Sequence, residues 1–374
     1  MQQTRIKIHA KQLIDNINNI KQYVNHQSNN NLDDNINIKF CFPVKANAYG
    51  HGLTTVSTHV ANDVDYFAVS SVIEGHALRN NHINNPILVF GGLVANDIKT
   101  AVAYNLEITI SSMYKAELVA NYCNENHVTC KVHIKIDTGM HRVGVRPITA
   151  TTLIDYVLSK RQLELIGVYS HLVQSEIIDD ELTKTQIAAF KIIADHVKTI
   201  NNNIICHIAN SGAVNNYSNA YFDMIRPGIL TYGYNLSSNN NIMVKPCLSL
   251  LSTITYFKVL AANSGISYNY NYKTKQQARV VTIPIGYGDG YRRSLSNCGE
   301  VIIRHHKYII SGNICMDMLM VDIGDNEAYI GDTVILIGSD GVNIITALDI
   351  ANKCHTIVYE ILCNLSDRIL RTLV

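Results

Sequence analysis

Ile38-Lys39-Phe40-Cys41-Phe42-Pro43-Val44-Lys45-Ala46-Asn47-Ala48-Tyr49-Gly50-His51-Gly52 ends an apolar run on one lysine and follows it at once with small residues and glycines. The run, residues 36–44, reads as a buried strand, and its sequel as a loop with room for something bulky beside Lys45. Lysines are rarely buried without a partner. This one either reaches solvent past the strand end or has its amine kept neutral by its neighbours, the state that forms Schiff bases with carbonyl compounds. From the lysine alone the two readings carry equal weight.

Outward from this strand the pattern repeats. Short apolar runs, each followed by a helical segment, fall at residues 38–44, 66–69, 87–90, 107–110, 132–136, 165–169, 204–208 and 224–225. Several are apolar on both faces, as parallel strands covered by helices are. Eight such units within about 200 residues predict a (β/α)8 TIM barrel; a doubly wound parallel sheet is the alternative. A barrel places chemistry after the C-terminal ends of its strands, with phosphate bound near the last two. Lys45 follows the first strand, and Lys135, Asp137 and Arg142 follow the fifth. His171 follows the sixth, Asn210 and Ser211 the seventh, and Arg226, Gly228 and Ile229 the eighth.

The flanks read differently. Ile6, Ile8 and Ala10 alternate as in a strand, and Leu13, Ile17, Ile20 and Val24 then take helical spacing. The Asn-rich residues 25–35 and 239–241 read as polar loops, the second also as a linker. Beyond it, residues 244–259, 279–285, 300–310, 318–323 and 333–337 are β-rich and separated by Gly, Asn and Asp, with a helix at 345–353. The 374 residues thus divide into a barrel over 11–241 and a mainly antiparallel β domain over 242–374.

Residues 43–52 resemble the pyridoxal-phosphate lysine motif of alanine racemases, V-K-A-N-A-Y-G-H-G, and further blocks carry the likeness to Tyr359. Lys135-Ile136-Asp137-Thr138-Gly139-Met140-His141-Arg142 resembles K-x-D-T-G-M-x-R-x-G, with His141 where glycine is common. Arg226-Pro227-Gly228 matches an R-P-G triplet, and Ile266-Ser267-Tyr268 matches V-S-Y-G with Asn269 in place of its glycine. Residues 284–290 and 314–317 match I-G-Y-x-D-G and I-C-M-D.

The resemblance implies that Lys45 holds pyridoxal 5'-phosphate as an internal aldimine, with Tyr49 and Tyr359 against its phosphate. Arg142 would orient substrate and cofactor, although an arginine after a glycine turn also suits a pair with Asp137. Lys135 matches a lysine that is often carbamylated to brace the arginine. Arg226 would face the pyridine nitrogen, with His171 hydrogen-bonded behind it. Asn210, Ser211 and the N–H groups of Gly228 and Ile229 suit a phosphate, although singly they read as loop residues. The Met316 N–H would contact the substrate carboxylate, and Tyr287 would shape the entrance. Cys315 reads as packing. The first strand, residues 1–10, would join the β domain.

Composition agrees with an enzyme of small molecules. Net charge is +1 with no basic or acidic block, so neither nucleic acid nor a membrane surface is indicated. The N-terminus lacks the apolar core of a signal peptide, and no run is long enough to span a bilayer, which predicts a cytoplasmic protein. The nine cysteines form no Cys-x-x-Cys pair and the 15 histidines no metal motif, so neither a disulfide framework nor a metal site is expected.

Racemisation needs acid–base groups on both faces of one carbon. By resemblance Lys45 serves the D-alanine proton and Tyr268 the L-alanine proton; the His171–Arg226 pair is expected to lower the phenol pKa, so that more of it stands ready as phenolate. In the family that tyrosine comes from the other subunit, so a homodimer with a shared active site is expected. Racemisation of another small amino acid such as serine is the alternative. A decarboxylase of related fold, which sets a carboxylate on the pyridine nitrogen, and a pyridoxal-phosphate carrier without a catalytic domain are weaker ones.

Overall fold

The computed structural model describes residues 3–31 and 37–374. The chain divides into two compact units, one of Gln12–Ala48 and Leu53–Lys245, the other of the segment up to Lys11 with Tyr49–Gly52 and Pro246–Val374. It opens with strand β1 (Arg5–Ile8) and a helix, Ala10–Asn31.

The first unit then lays down β2 (Lys39–Pro43), β3 (Tyr66–Val69), β4 (Ile87–Val89) and β5 (Glu107–Ile110). After these come β6 (Cys130–Lys135), β7 (Leu163–Tyr169), β8 (Ile205–His207) and β9 (Met224–Ile225). They pair in sequence order from β2 to β8, and β9 pairs with β2. The remaining gap is joined by the Asp223 N–H to the Cys206 carbonyl at 3.0 Å and the Arg226 N–H to the Ala209 carbonyl at 2.9 Å. This is the expected barrel. The doubly wound alternative is excluded, because such a sheet reverses its strand order at a switch point and this one does not.

Every residue of β3, β4 and β5 is buried, as a filled barrel interior under a coat of helices requires. Phe40, Phe42, Phe67 and Tyr232 are fully buried, with the Phe42 and Tyr232 rings 5.1 Å apart. Each such side chain contributes about 1.5–3 kcal/mol. Register sets the interior in layers: Lys135 lies beside Tyr169, and Tyr169 beside His207.

One expected loop is partly helical. The first helix continues to Asn31, through much of the Asn-rich stretch, while residues 32–36 lie outside the described residues. Asparagine is a poor helix former because its side chain competes for backbone hydrogen bonds. Here burial of Ile20, Val24 and Ser28 along one face prevails, with the Ser28 hydroxyl donating to the Val24 carbonyl at 2.9 Å.

The second unit contains β10 (Leu248–Thr253), β11 (Tyr256–Leu260), β12 (Gly265–Ile266), β13 (Tyr272–Lys273) and β14 (Ala278–Ile283). It continues with β15 (Glu300–Ile303), β16 (His306–Ile309), β17 (Leu319–Asp322), β18 (Thr333–Ser339), β19 (Ile344–Ile345) and β20 (Leu370–Leu373). Its largest sheet runs β16-β15-β18-β10-β1-β20. β1 is antiparallel to β10 and parallel to β20, and Ile6 and Ile8 on its inner face are fully buried. The other strand pairs of this unit, among the described residues, are antiparallel.

Candidate active site

Lys45 stands one residue beyond the end of β2, after Val44, and is half-buried. The next four residues, Ala46 to Tyr49, all take left-handed φ values between 51 and 54°. For residues other than glycine this costs about 1–2 kcal/mol each. Hydrogen bonds among the described residues hold the turn. The Ala46 N–H donates to Glu74 Oε1 at 2.7 Å, the Ala48 N–H to the Val44 carbonyl at 2.7 Å, and the Leu53 N–H to Asn47 Oδ1 at 2.6 Å. Strain held in place by its surroundings is a mark of functional loops.

The fifth barrel strand, β6, ends on Lys135, a buried lysine. Its Nζ has no hydrogen-bond partner among the described residues and lies 4.7 Å from the centre of the Tyr169 ring. Burial, and then the Arg226 and Arg142 charges, push its pKa well below that of an ordinary lysine and favour the neutral amine. Asp137 does not pair with Arg142. Its carboxylate accepts the N–H groups of Gly139 (3.1 Å) and His141 (3.0 Å), which outweigh the effect of burial and hold its pKa low. Arg142 is exposed after this turn and keeps its fork for another partner. Gly144 closes the turn at φ 127°, where a Cβ would lie 2.9 Å from the Asp137 nitrogen.

Arg226, after the eighth barrel strand, is buried, and its hydrogen bonds go to neutral acceptors. They are His207 Nδ1 at 2.8 Å, the Ser170 carbonyl at 2.7 Å and the Ile208 carbonyl at 3.1 Å. Burial draws its pKa down to about 10, so it stays charged. The expected histidine behind it is therefore corrected: His207 holds the guanidinium, not His171. His207 faces the barrel interior beside Tyr169, whose ring stacks on it at 4.9 Å, whereas His171 lies in the loop after β7. The His171 pKa is pushed well below its ordinary value by burial and by Arg226, Lys135, Arg142 and Lys45. That shared influence gathers the five residues at one end of the barrel.

Nearby, Asn210 caps the helix Ser211–Asn216, accepting the Ala213 N–H at 3.2 Å. Ser211 Oγ accepts the Leu230 N–H at 3.3 Å, while the Gly228 and Ile229 N–H groups donate to no protein acceptor among the described residues. Open backbone donors and a buried cation without a carboxylate fit a small group bearing both a phosphate and an aromatic nitrogen. Among the described residues no cluster of His, Cys, Asp or Glu could hold a metal.

In the second unit Tyr268 sits at the tip of the β12–β13 hairpin, exposed by 68%. Asn313 holds that tip: its Nδ2 donates to the Tyr268 carbonyl at 2.7 Å, and the Ser267 hydroxyl donates to the Asn313 carbonyl at 2.6 Å. The segment continues to Tyr287, whose N–H donates to the Cys315 carbonyl at 3.1 Å, and to Gly288, whose N–H donates to the Met316 carbonyl at 2.8 Å. Tyr268, Tyr287 and Met316 are thus knit into one exposed cluster, with Cys315 packed beneath at 3.5 Å from Ser267 Oγ. Tyr49 and Tyr359, both of this unit, have rings 5.9 Å apart.

Comparison with known proteins decides the family. Residues 8–236 match the alanine racemase N-terminal domain and residues 247–373 the alanine racemase C-terminal domain. The chain belongs to the alanine racemase family. It is 37% identical over 340 residues to the alanine racemase of Halothermothrix orenii, covering 90% of each chain. It superposes on the alanine racemase of Clostridium difficile 630 with TM-score 0.92 at 31% identity, covering 100% of this chain and 96% of that one. The alanine racemase of Bacillus anthracis with bound L-Ala-P gives TM-score 0.90 at 28% identity, covering 100% and 95%.

Both departures from the racemase motifs fall at left-handed positions: His141 has φ 55° and Asn269 φ 63°. Histidine and asparagine are among the residues that tolerate this region best after glycine, so the motif backbone survives the exchange. Sequence reasoning missed His207, His133, Glu107 and Asn313. The first three carried a signal, since a polar residue inside an otherwise apolar barrel strand faces either the interior or a helix, and needs a partner in both cases.

Proposed function

We propose that this protein interconverts L- and D-alanine with pyridoxal 5'-phosphate by a two-base mechanism. Arg226 carries the reading: a buried guanidinium at the strand ends, bonded only to neutral acceptors, leaves a permanent donor for a ring nitrogen. Lys45 would hold the cofactor covalently. Ser211, Asn210 and the Gly228 and Ile229 N–H groups would take its phosphate, with Tyr49 and Tyr359. Bound there, pyridoxal phosphate acidifies the α-proton of an attached amino acid.

The remaining work belongs to the chain. Arg226 would offer a ring nitrogen a hydrogen bond without surrendering its proton, and an unprotonated ring would favour prompt return of a proton to the α-carbon over transamination. Lys45 takes or returns that proton on one face, and the partner subunit's Tyr268 on the other, so a proton leaves one side as another arrives opposite. Arg142 and the N–H of the partner subunit's Met316 would hold the substrate carboxylate, and the partner's Tyr287 would narrow the entrance to favour alanine over larger amino acids. The cluster of Tyr268, Tyr287 and Met316 is exposed within its own unit, which supports the homodimer. Among the described residues no helix is long and apolar enough to cross a membrane; with all described cysteines free, we place the protein in the cytoplasm.

Incubation of the pure protein with single L-amino acids, followed by chiral separation, tests the reading. L-alanine should approach an equal mixture of enantiomers, with serine far slower. Carbon dioxide release without racemisation would point to the decarboxylase instead.

Lys135 is proposed to carry a carbamate that braces Arg142. Only a neutral amine adds carbon dioxide, and burial with two nearby arginines shifts this amine toward its neutral form. Occupancy should therefore be high near pH 8 and fall as acid protonates the amine. A 13C carbamate resonance from labelled bicarbonate, absent in Lys135→Ala, checks it; no resonance in the parent protein at pH 8 would refute it.

A further inference from the structure

Behind Arg226 four side chains run in line through the barrel interior. Arg226 Nη1 lies 2.8 Å from His207 Nδ1, His207 Nε2 lies 3.2 Å from His133 Nδ1, and His133 Nε2 lies 2.8 Å from Glu107 Oε2. Both histidines are fully buried, and Glu107 and Arg226 nearly so. The fold makes room for them. Gly167, the register neighbour of His133 on β7, carries no Cβ where one would lie 2.5 Å from His133 Nδ1. Tyr169 packs flat on His207, and its hydroxyl lies 2.8 Å from Thr109 Oγ1, which itself donates to the Val89 carbonyl at 2.6 Å.

The direction of every hydrogen bond in this row is fixed from one end. Arginine only donates, so His207 Nδ1 must accept. A neutral His207 then carries its proton on Nε2 and donates to His133 Nδ1. His133 in turn carries its proton on Nε2 and needs an acceptor beyond it, which Glu107 supplies as a carboxylate. Any other tautomer places two N–H groups, or two lone pairs, against each other among side chains that are almost wholly buried. The row also separates the charges. A carboxylate touching Arg226 would compete for the donor facing the ring nitrogen. Glu107, two neutral rings away, offsets the buried cation without occupying its donors.

We propose that Glu107 and His133 are positioning residues which, acting through His207, fix the orientation and donor strength of the Arg226 guanidinium. The functional half rests on the racemase reading, in which Arg226 meets the cofactor nitrogen; the tautomer half does not.

The test uses cofactor-free and cofactor-loaded protein. Ring-15N histidine spectra of the cofactor-free protein, with His133 and His207 assigned by single substitution, should show both as neutral Nε2–H tautomers from pH 6 to 8. Either ring found charged or as the Nδ1–H tautomer overturns the proposal without any Glu107 variant. Glu107→Leu removes the terminal acceptor and should disturb both tautomers. In the loaded enzyme it should lower kcat about tenfold or more with KM for alanine changed less than about twofold. Glu107→Gln, whose amide carbonyl can still accept, should restore the tautomers and most of kcat. Unchanged tautomers in the Leu variant, or altered tautomers with unchanged kcat, would overturn it. Expected tautomers in a protein that racemises nothing would leave the row standing and reject the racemase reading.

Discussion

Tyr268→Phe is expected to lower alanine racemisation roughly 100- to 10,000-fold, the span for loss of one positioned acid–base group. The loss should be one-sided. Lys45 remains able to remove the α-proton of D-alanine and return a deuteron to the same face, so D-alanine should still exchange its α-proton in deuterated water. L-alanine, whose proton faces the missing hydroxyl, should exchange far more slowly. Folding should be little affected, because the phenol is exposed and the hairpin tip is held through the Tyr268 carbonyl by Asn313. Proton exchange followed by NMR with each enantiomer checks this. Equal losses for both enantiomers would remove Tyr268 from its assigned face.

Lys45→Ala should be more severe, with turnover in both directions reduced more than about 10,000-fold. The lysine is assigned two duties, covalent attachment of the cofactor and proton transfer on the D-alanine face, and alanine performs neither. Absorbance of the lysine-bound cofactor should vanish with activity. The left-handed turn should persist, since the Ala46 and Ala48 N–H groups, Asn47 Oδ1 and Glu74 hold its backbone whatever side chain stands at position 45. Retained absorbance and turnover would move the site elsewhere.

The barrel was legible because its signal is repeated. Each of eight apolar runs is weak alone, yet their order and spacing admit few folds, and the observed strands fall within a residue or two of the expected runs. Strand-end positions followed from that, which is why Lys45, Lys135, His171 and Arg226 could be placed at one mouth. What could not be read was the facing of polar residues inside strands buried on both sides. In a half-exposed strand the apolar alternation marks the inward face; in β5 and β8 every residue is buried and the alternation disappears. Glu107, His133 and His207 were therefore invisible as a row, and His171, more conspicuous at a strand end, took the place behind Arg226 that His207 occupies. The Asn-rich helix end was misread for a related reason. Local preference pointed to loop, and burial of Val24 and Ser28 against the barrel unit overrode it.

The central claim is that each active site takes its lysine from one copy of the chain and its tyrosine from another. Mixing inactive Lys45→Ala protein with inactive Tyr268→Phe protein, under conditions that let subunits exchange, tests it most directly. Half the dimers formed from an equal mixture are mixed, and each of these rebuilds one intact site of two, so about a quarter of the parent activity should return. Activity that stays at the sum of the two variants after demonstrated exchange would contradict a shared site.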